Sequence, residues 1–153
     1  MKASRQDYRY TESGLSNVTL CDVEVRKCRE CGEDEVVIPA IDRLHKYLAT
    51  TVASKKNALV GSEIRFLRSY LGLSAADFAE VMGVEPETVS RWENDRRPMG
   101  GPAERVLRLI ALTWPPKDDY SLDFLRSISR ERPKRATGVR VKIKNNNWRA
   151  AAR

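Results

Sequence analysis

Leu73-Ser74-Ala75-Ala76-Asp77-Phe78-Ala79-Glu80-Val81-Met82-Gly83-Val84-Glu85-Pro86-Glu87-Thr88-Val89-Ser90-Arg91-Trp92-Glu93-Asn94 is the stretch whose reading decides the fold. Ser74 follows an apolar residue and precedes a helix-favouring run, so its hydroxyl is placed to satisfy an orphan backbone N–H as an N-cap. Phe78, Val81 and Met82 recur at helical spacing, and Ala79 is small enough for a second helix to approach. Gly83 ends this helix, because glycine tolerates a left-handed backbone. A second helix restarts with Glu85 near its N-cap and Pro86 where a missing N–H costs little. Val89 and Trp92 then face inward, and Glu87, Thr88, Ser90, Arg91 and Asn94 point outward.

Two short helices, a glycine turn and an outward polar row predict a helix-turn-helix. The row carries the chemistry. Arg can pair bidentately with guanine and Asn with adenine, while Thr and Ser reach phosphates or the thymine methyl. From Leu73 to Met99 the chain resembles the Cro/lambda-repressor type of helix-turn-helix, through Val89-Ser90-Arg91-Trp92-Glu93-Asn94 and Pro98. The resemblance assigns Ser74 and Ala75 to the DNA-contacting start of a helix, although members often carry Gln where this chain has Ala75. Arg96 and Arg97, just beyond the reading helix, together with Lys55 and the basic tail, are expected to anchor phosphates.

Around this centre, 153 residues suit one core-bearing domain and a small appendage. With 41% hydrophobic and 32% charged residues and no long apolar run, no membrane span is expected. Residues 1–7 lack the apolar stretch of a signal peptide, and three cysteines are an odd count, so a reducing, cytoplasmic setting is expected. The net charge of +7 is uneven. Residues 126–153 hold ten basic residues and one acid; the preceding residues hold 18 basic and 20 acidic, a net −2. That asymmetry points to double-stranded DNA as partner.

The folded part is expected to open at Tyr8. Val18–Lys27 alternates apolar and polar, with one phase slip between Leu20 and Cys21 that predicts a bulge or bend. Val36-Val37-Ile38-Pro39 reads as the returning strand of a hairpin tipped by Cys28–Glu33. A helix follows with Ile41, Leu44, Leu48 and Val52 on one face, running to about Ser54, and Lys55-Lys56-Asn57 marks a junction. Ile64, Leu67, Arg68 and Leu71 lie on the first helix of the reader. Pro102 opens another helix, with Val106, Leu107, Ile110 and Leu112 as its core face, stopped by Trp114-Pro115-Pro116. Ser121 caps a short helix through Leu122, Leu125 and Ile128. Val139, Val141 and Ile143 alternate with basic residues, which fits a cationic strand added to the hairpin or, on composition, a disordered basic tail.

Cys28 and Cys31, followed by Gly32, have the spacing of half a zinc site. Zinc takes four ligands, and only Cys21 and His45 remain to complete it within one chain. Zinc binding and a relict cysteine turn both stay open. No phosphate-cradling loop and no nucleophile–base motif occurs, so an enzyme is not expected.

Tyr8-x-Tyr10-x-Glu12-Ser13-Gly14-Leu15-x-Asn17-Val18, the Cys28–Glu33 turn, Ile38-Pro39 and the Cro-like segment together resemble the MqsA/YgiT-type family of antitoxins and antitoxin-like regulators. The resemblance covers most of residues 8–114, but the first cysteine pair of the zinc-binding members is absent. It implies an N-terminal zinc domain that meets a toxin and a C-terminal DNA reader. The expectation is an α+β chain: a small degenerate zinc-ribbon-like hairpin with a helix (1–56), a helix-turn-helix domain (57–116), and a short helix with a basic strand or tail (117–153). Its function is expected to be that of a sequence-specific autorepressor, bound as a homodimer to a palindromic operator. The alternatives are an antitoxin that also holds a toxin, and a zinc-dependent interaction module.

Overall fold

The computed structural model describes residues 2–28, 30–113 and 135–151. The chain is α+β and forms two compact units, one from residues 1–45 with 137–153 and the other from residues 46–136. The expected cap at Ser121 and helix around Leu122–Ile128 lie outside the described residues, as does the stop at Trp114-Pro115-Pro116.

The first unit is a sheet of five strands: β1 (Lys2–Arg9), β2 (Val18–Lys27), β3 (Asp34–Val37), β4 (Val139–Lys144) and β5 (Asn147–Ala150). β2 is its spine. β1 pairs along it antiparallel, from Lys2 opposite Lys27 to Arg9 opposite Thr19. β3 returns antiparallel from Lys27 opposite Asp34, which bears out the hairpin but places its second strand at Asp34–Val37 rather than Val36–Pro39. β4 runs parallel to the beginning of β2, with Val18, Thr19 and Leu20 opposite Val139, Arg140 and Val141.

The predicted phase slip is real. Between Gln6–Val23 and Tyr8–Leu20 the register shifts, and Asp22 takes φ +57°. The extra residue lets Leu20, Cys21 and Val23 all be buried despite the broken alternation. Two expectations need correction. Folded structure does not start at Tyr8: Lys2–Arg9 is a strand, held by pairing to β2 rather than by any alternation of its own. The basic C-terminal segment is not one strand but a hairpin, because Asn145 and Asn146 turn it with φ of 51° and 57°. Positive φ at both central residues is the requirement of a two-residue hairpin loop, and Asn tolerates it.

The second unit is helical. α1 (Ile41–Ser54) begins in the first unit and continues into the second, followed by α2 (Gly61–Tyr70), α3 (Ala75–Met82), α4 (Pro86–Glu93) and α5 (Gly101–Thr113). Ile64, Leu67, Phe78, Val89, Trp92 and Leu107 are among its buried side chains. Three expected core residues stand outside: Ile41, Val81 and Val106 are 43%, 54% and 44% exposed. On α5, Arg108 takes the buried position beside Leu107 that the apolar pattern had assigned to Val106.

Arg108 is fully buried and organises the entry to the reader. Its Nε and Nη2 donate to Glu104 Oε1 (3.0 and 2.6 Å), and its other N–H groups reach the carbonyls of Ala53 (3.0 Å), Lys55 (2.5 Å) and Asn57 (2.5 Å). Three acids then take successive N–H groups of the α2 approach. Glu104 accepts from Leu59 N (3.1 Å), Glu63 from Val60 N (2.8 Å) and Asp95 from Gly61 N (2.8 Å). Carboxylates at a helix N-terminus satisfy orphan donors and oppose the positive end of its dipole. No helix among the described residues is long and apolar enough to cross a membrane.

Candidate nucleic-acid interface

The site is assembled from its caps upward. Ser74 Oγ accepts from Asp77 N (3.1 Å), and Asp77 Oδ2 accepts from Ser74 N (3.2 Å), a reciprocal capping box at the start of α3. The Ser74 hydroxyl, which donates to Asp77 Oδ2 at 2.6 Å, and then the Ser74 N–H hold the Asp77 carboxyl below its usual range. Gly83 closes α3 with φ +63°, and its N–H and that of Val84 satisfy the carbonyls of Glu80 and Ala79. Glu85 is the N-cap of α4 and Pro86 its first residue, so the turn between the helices is short and fixed.

α4 is held from behind. Val89 and Trp92 are buried, and Glu93 receives a fork from α2: Arg68 Nε to Oε1 at 2.5 Å and Nη2 to Oε2 at 3.2 Å. Arg65 Nε adds a contact to Glu93 at 3.3 Å. A charge-assisted fork of this kind fixes orientation as well as adding energy.

In front, Glu87, Ser90 and Arg91 are exposed and Thr88 is half-buried, one turn apart along the open face of α4. Arg91 Nη2 donates to Glu87 Oε1 at 2.7 Å, an i,i+4 pair in which both side chains remain largely in solvent. Arg96 and Arg97 are exposed, and both of their backbone N–H groups bond the Arg91 carbonyl. Ser74 and Ala75 lie exposed at the start of α3.

Two residues expected at DNA have partners within the chain. Asn94 is exposed, but its amide is engaged at both ends: Nδ2 donates to the Ser90 carbonyl (2.8 Å), and Oδ1 accepts from Arg65 Nη2 (3.1 Å). Lys55, expected at a phosphate, is instead bound to Glu63 at 2.5 Å and only 17% exposed. The pairings of Arg65 and Arg68 with Glu93, and of Asp95 with the Gly61 N–H, escaped the sequence reading because the partners lie far apart along the chain. The i,i+4 spacing of Glu104 and Arg108 was the one local signal for the buried network.

The cysteines do not converge with His45. Cys28 sits half-buried at the turn where its N–H bonds the Glu33 carbonyl (2.9 Å), Cys31 is exposed, and Cys21 is buried on β2. N–H groups of the turn, first that of Cys31 and then that of Glu30, hold the Cys28 thiol below its ordinary pKa. His45 Nε2 shares a 2.8 Å hydrogen bond with the Tyr10 hydroxyl, and the two rings stack at 6.0 Å. Among the described residues no group of three or more His, Cys, Asp or Glu is gathered to hold a metal ion.

A capped α3, a left-handed glycine turn and an α4 buttressed behind and open in front define a helix-turn-helix, and with it a DNA-binding regulator. A family model described as helix-turn-helix matches residues 64–113, which span most of α2 and all of α3, α4 and α5. Comparison with curated proteins and with solved structures gives no match.

Proposed function

We propose that this regulator is sequence-specific, that it docks α4 in the major groove, and that it binds a palindromic operator as a homodimer to repress its own promoter. The observation that carries the reading is the exposed row Glu87, Ser90 and Arg91, with Thr88 beside it, on a helix fixed from behind by the Arg68–Glu93 fork. An exposed i,i+4 pair is worth only about 0.3–0.5 kcal/mol, so Glu87 holds Arg91 in place without withholding it from a guanine. Arg91 is the principal base reader, Thr88 and Ser90 flank it, and Arg96 and Arg97 meet phosphates. Asn94 serves mainly to tie α4 to Arg65. One recognition helix covers few base pairs, which favours two copies on half-sites about 34–36 Å apart or a multiple of that.

The test is binding to the DNA upstream of its own gene against a scrambled duplex, from about 50 to 200 mM salt, because phosphate-only binding collapses over that range. A preference retained at the higher salt supports the reading. Equal and salt-sensitive binding to both duplexes overturns it.

The segment that resembles the MqsA/YgiT-type family, with its half-buried Cys28 turn, supports a second reading in which the first unit also holds a toxin. Co-purification with the product of an adjacent small gene, lost on altering the first unit and kept on altering α4, distinguishes it.

A further inference from the structure

The β4–β5 hairpin raises a row of cations, of which only Arg140 is paired, to Asp7 of β1. Strand pleating puts Arg140, Lys142 and Lys144 on one face, opposite the face of Val141, which is fully buried. Arg149 stands directly across from Lys142. Like charges opposed on a strand pair are destabilising, so their juxtaposition calls for an anion.

Four of the sheet's acids are paired with other cations or with Arg140 alone: Asp7 to Arg140 (2.5 Å), Asp22 to Arg5 (3.2 Å), Glu24 to Arg26 (2.8 Å) and Asp34 to Lys27 (3.6 Å). Lys142, Lys144 and Arg149 are exposed and, among the described residues, have no ion pair or side-chain hydrogen bond. Alternate residues of a strand recur about every 6.6–6.8 Å, so a row of this kind can follow a regularly charged backbone. The large apolar side chains of the hairpin are turned away from solvent. Trp148 is buried with Nε1 on the Pro39 carbonyl (3.2 Å), and Ile143 is half-buried. A surface with cations and no large exposed apolar side chain suits a phosphate backbone better than a lipid interface, which needs such side chains to insert.

Resting on the DNA-binding reading of α4, we propose that the β4–β5 hairpin is a second DNA contact, which grips the phosphate backbone through Lys142, Lys144 and Arg149 without reading bases. A second contact on the same chain raises the effective concentration of the first and lengthens the time on DNA whatever the sequence.

The experiment compares the full chain with Lys142→Gln/Arg149→Gln and with Lys142→Glu, on the preferred and on the scrambled duplex, across salt. The double variant loses affinity for both duplexes by the same factor. Its log K against log salt slope falls by about 1.8, or about 0.9 for each lost phosphate contact. The ratio between the duplexes stays as in the parent chain. Lys142→Glu faces Arg149 with an opposite charge, so it keeps or raises the melting temperature while weakening DNA binding, which misfolding cannot mimic. Unchanged affinity and slope in both variants overturns the proposal. So does a loss confined to phosphatidylserine vesicles with DNA binding intact. A parent chain with no duplex preference, whose binding still depends on Lys142 and Arg149, overturns the α4 reading and leaves the hairpin contact standing.

Discussion

The backbone of Gly61, at the start of α2, lies against the carbonyl of Glu93, at the end of α4. A Cβ added there would meet the Glu93 carbonyl oxygen first, then its carbonyl carbon at 2.7 Å and the Trp92 carbonyl oxygen at 2.8 Å. All three atoms are backbone and cannot swing aside. Gly61→Ala is therefore expected to destabilise the protein by about 1–3 kcal/mol, the usual cost of overpacking, as read from urea denaturation. An unchanged midpoint would show that α2 and α4 are not held this closely.

Arg108 offers a larger effect. It is wholly buried and satisfies Glu104 and three carbonyls at once. Arg108→Met should lower stability by about 3–5 kcal/mol, because one partner of a buried pair is left without compensation. Adding Glu104→Leu should not restore it, since the Leu59 N–H and the three carbonyls stay unpaired. Calorimetry of both variants checks this.

Removal of the α3 cap by Ser74→Ala should cost about 0.5–2 kcal/mol. Asp77 has its folded pKa lowered, first by the Ser74 hydroxyl. Its contribution is thus fully present above the unfolded value of ~3.9 and disappears as pH falls through the lower folded one. The variant should lose the hydroxyl's share of that acid-side slope and keep the part due to the residue-74 N–H, measured as urea midpoints from neutral pH down to below pH 4.

His45 is the chain's single histidine, and burial, opposed by Asp42, lowers its pKa. The unfolded chain therefore binds the proton more readily. Stability should be complete above ~6.5 and decline as pH falls from there through the folded value. His45→Gln should remove that component. A parent chain with no change in midpoint between pH 8 and 5.5 would contradict it.

Arg91→Ala should cost about 1–3 kcal/mol on the preferred duplex and little on random DNA. Glu87→Ala, which only releases Arg91, should leave most of the preference in place. Titrations on both duplexes separate the two, and equal losses for Arg91→Ala on both would remove it from base recognition.

What the sequence made legible was local. Ser74, Gly83, Pro86 and the pair Val89–Trp92 each act within one helix or one turn, and each sits as its chemistry dictates. The bulge near Cys21 announced itself as a broken alternation. β1 could not be seen, because Lys2–Arg9 is a charged edge whose only reason to be extended is β2. Arg108 was hidden for the same reason: its partners at Ala53, Lys55 and Asn57 are 55, 53 and 51 positions away. Of the expected DNA-facing residues, the row Glu87–Arg91 followed from helical phase alone. The hydrogen bond from Arg65 to Asn94 could not be read there, because Arg65 lies 29 positions earlier.

The parallel pairing of β4 with β2 has a consequence for how the protein is made. Asn17 and Thr137 are hydrogen-bonded across 120 positions, with α2 to α5 encoded between them. On a ribosome the reader helices emerge and can close on themselves first, while β1, β2 and β3 wait with one edge of β2 partly bare. Long-range pairing of this kind is slow, and an unpaired strand edge recruits other chains. The β4–β5 hairpin therefore acts as a late latch: a transcript truncated before Val139 would yield chains that still carry the reader but expose a sticky sheet.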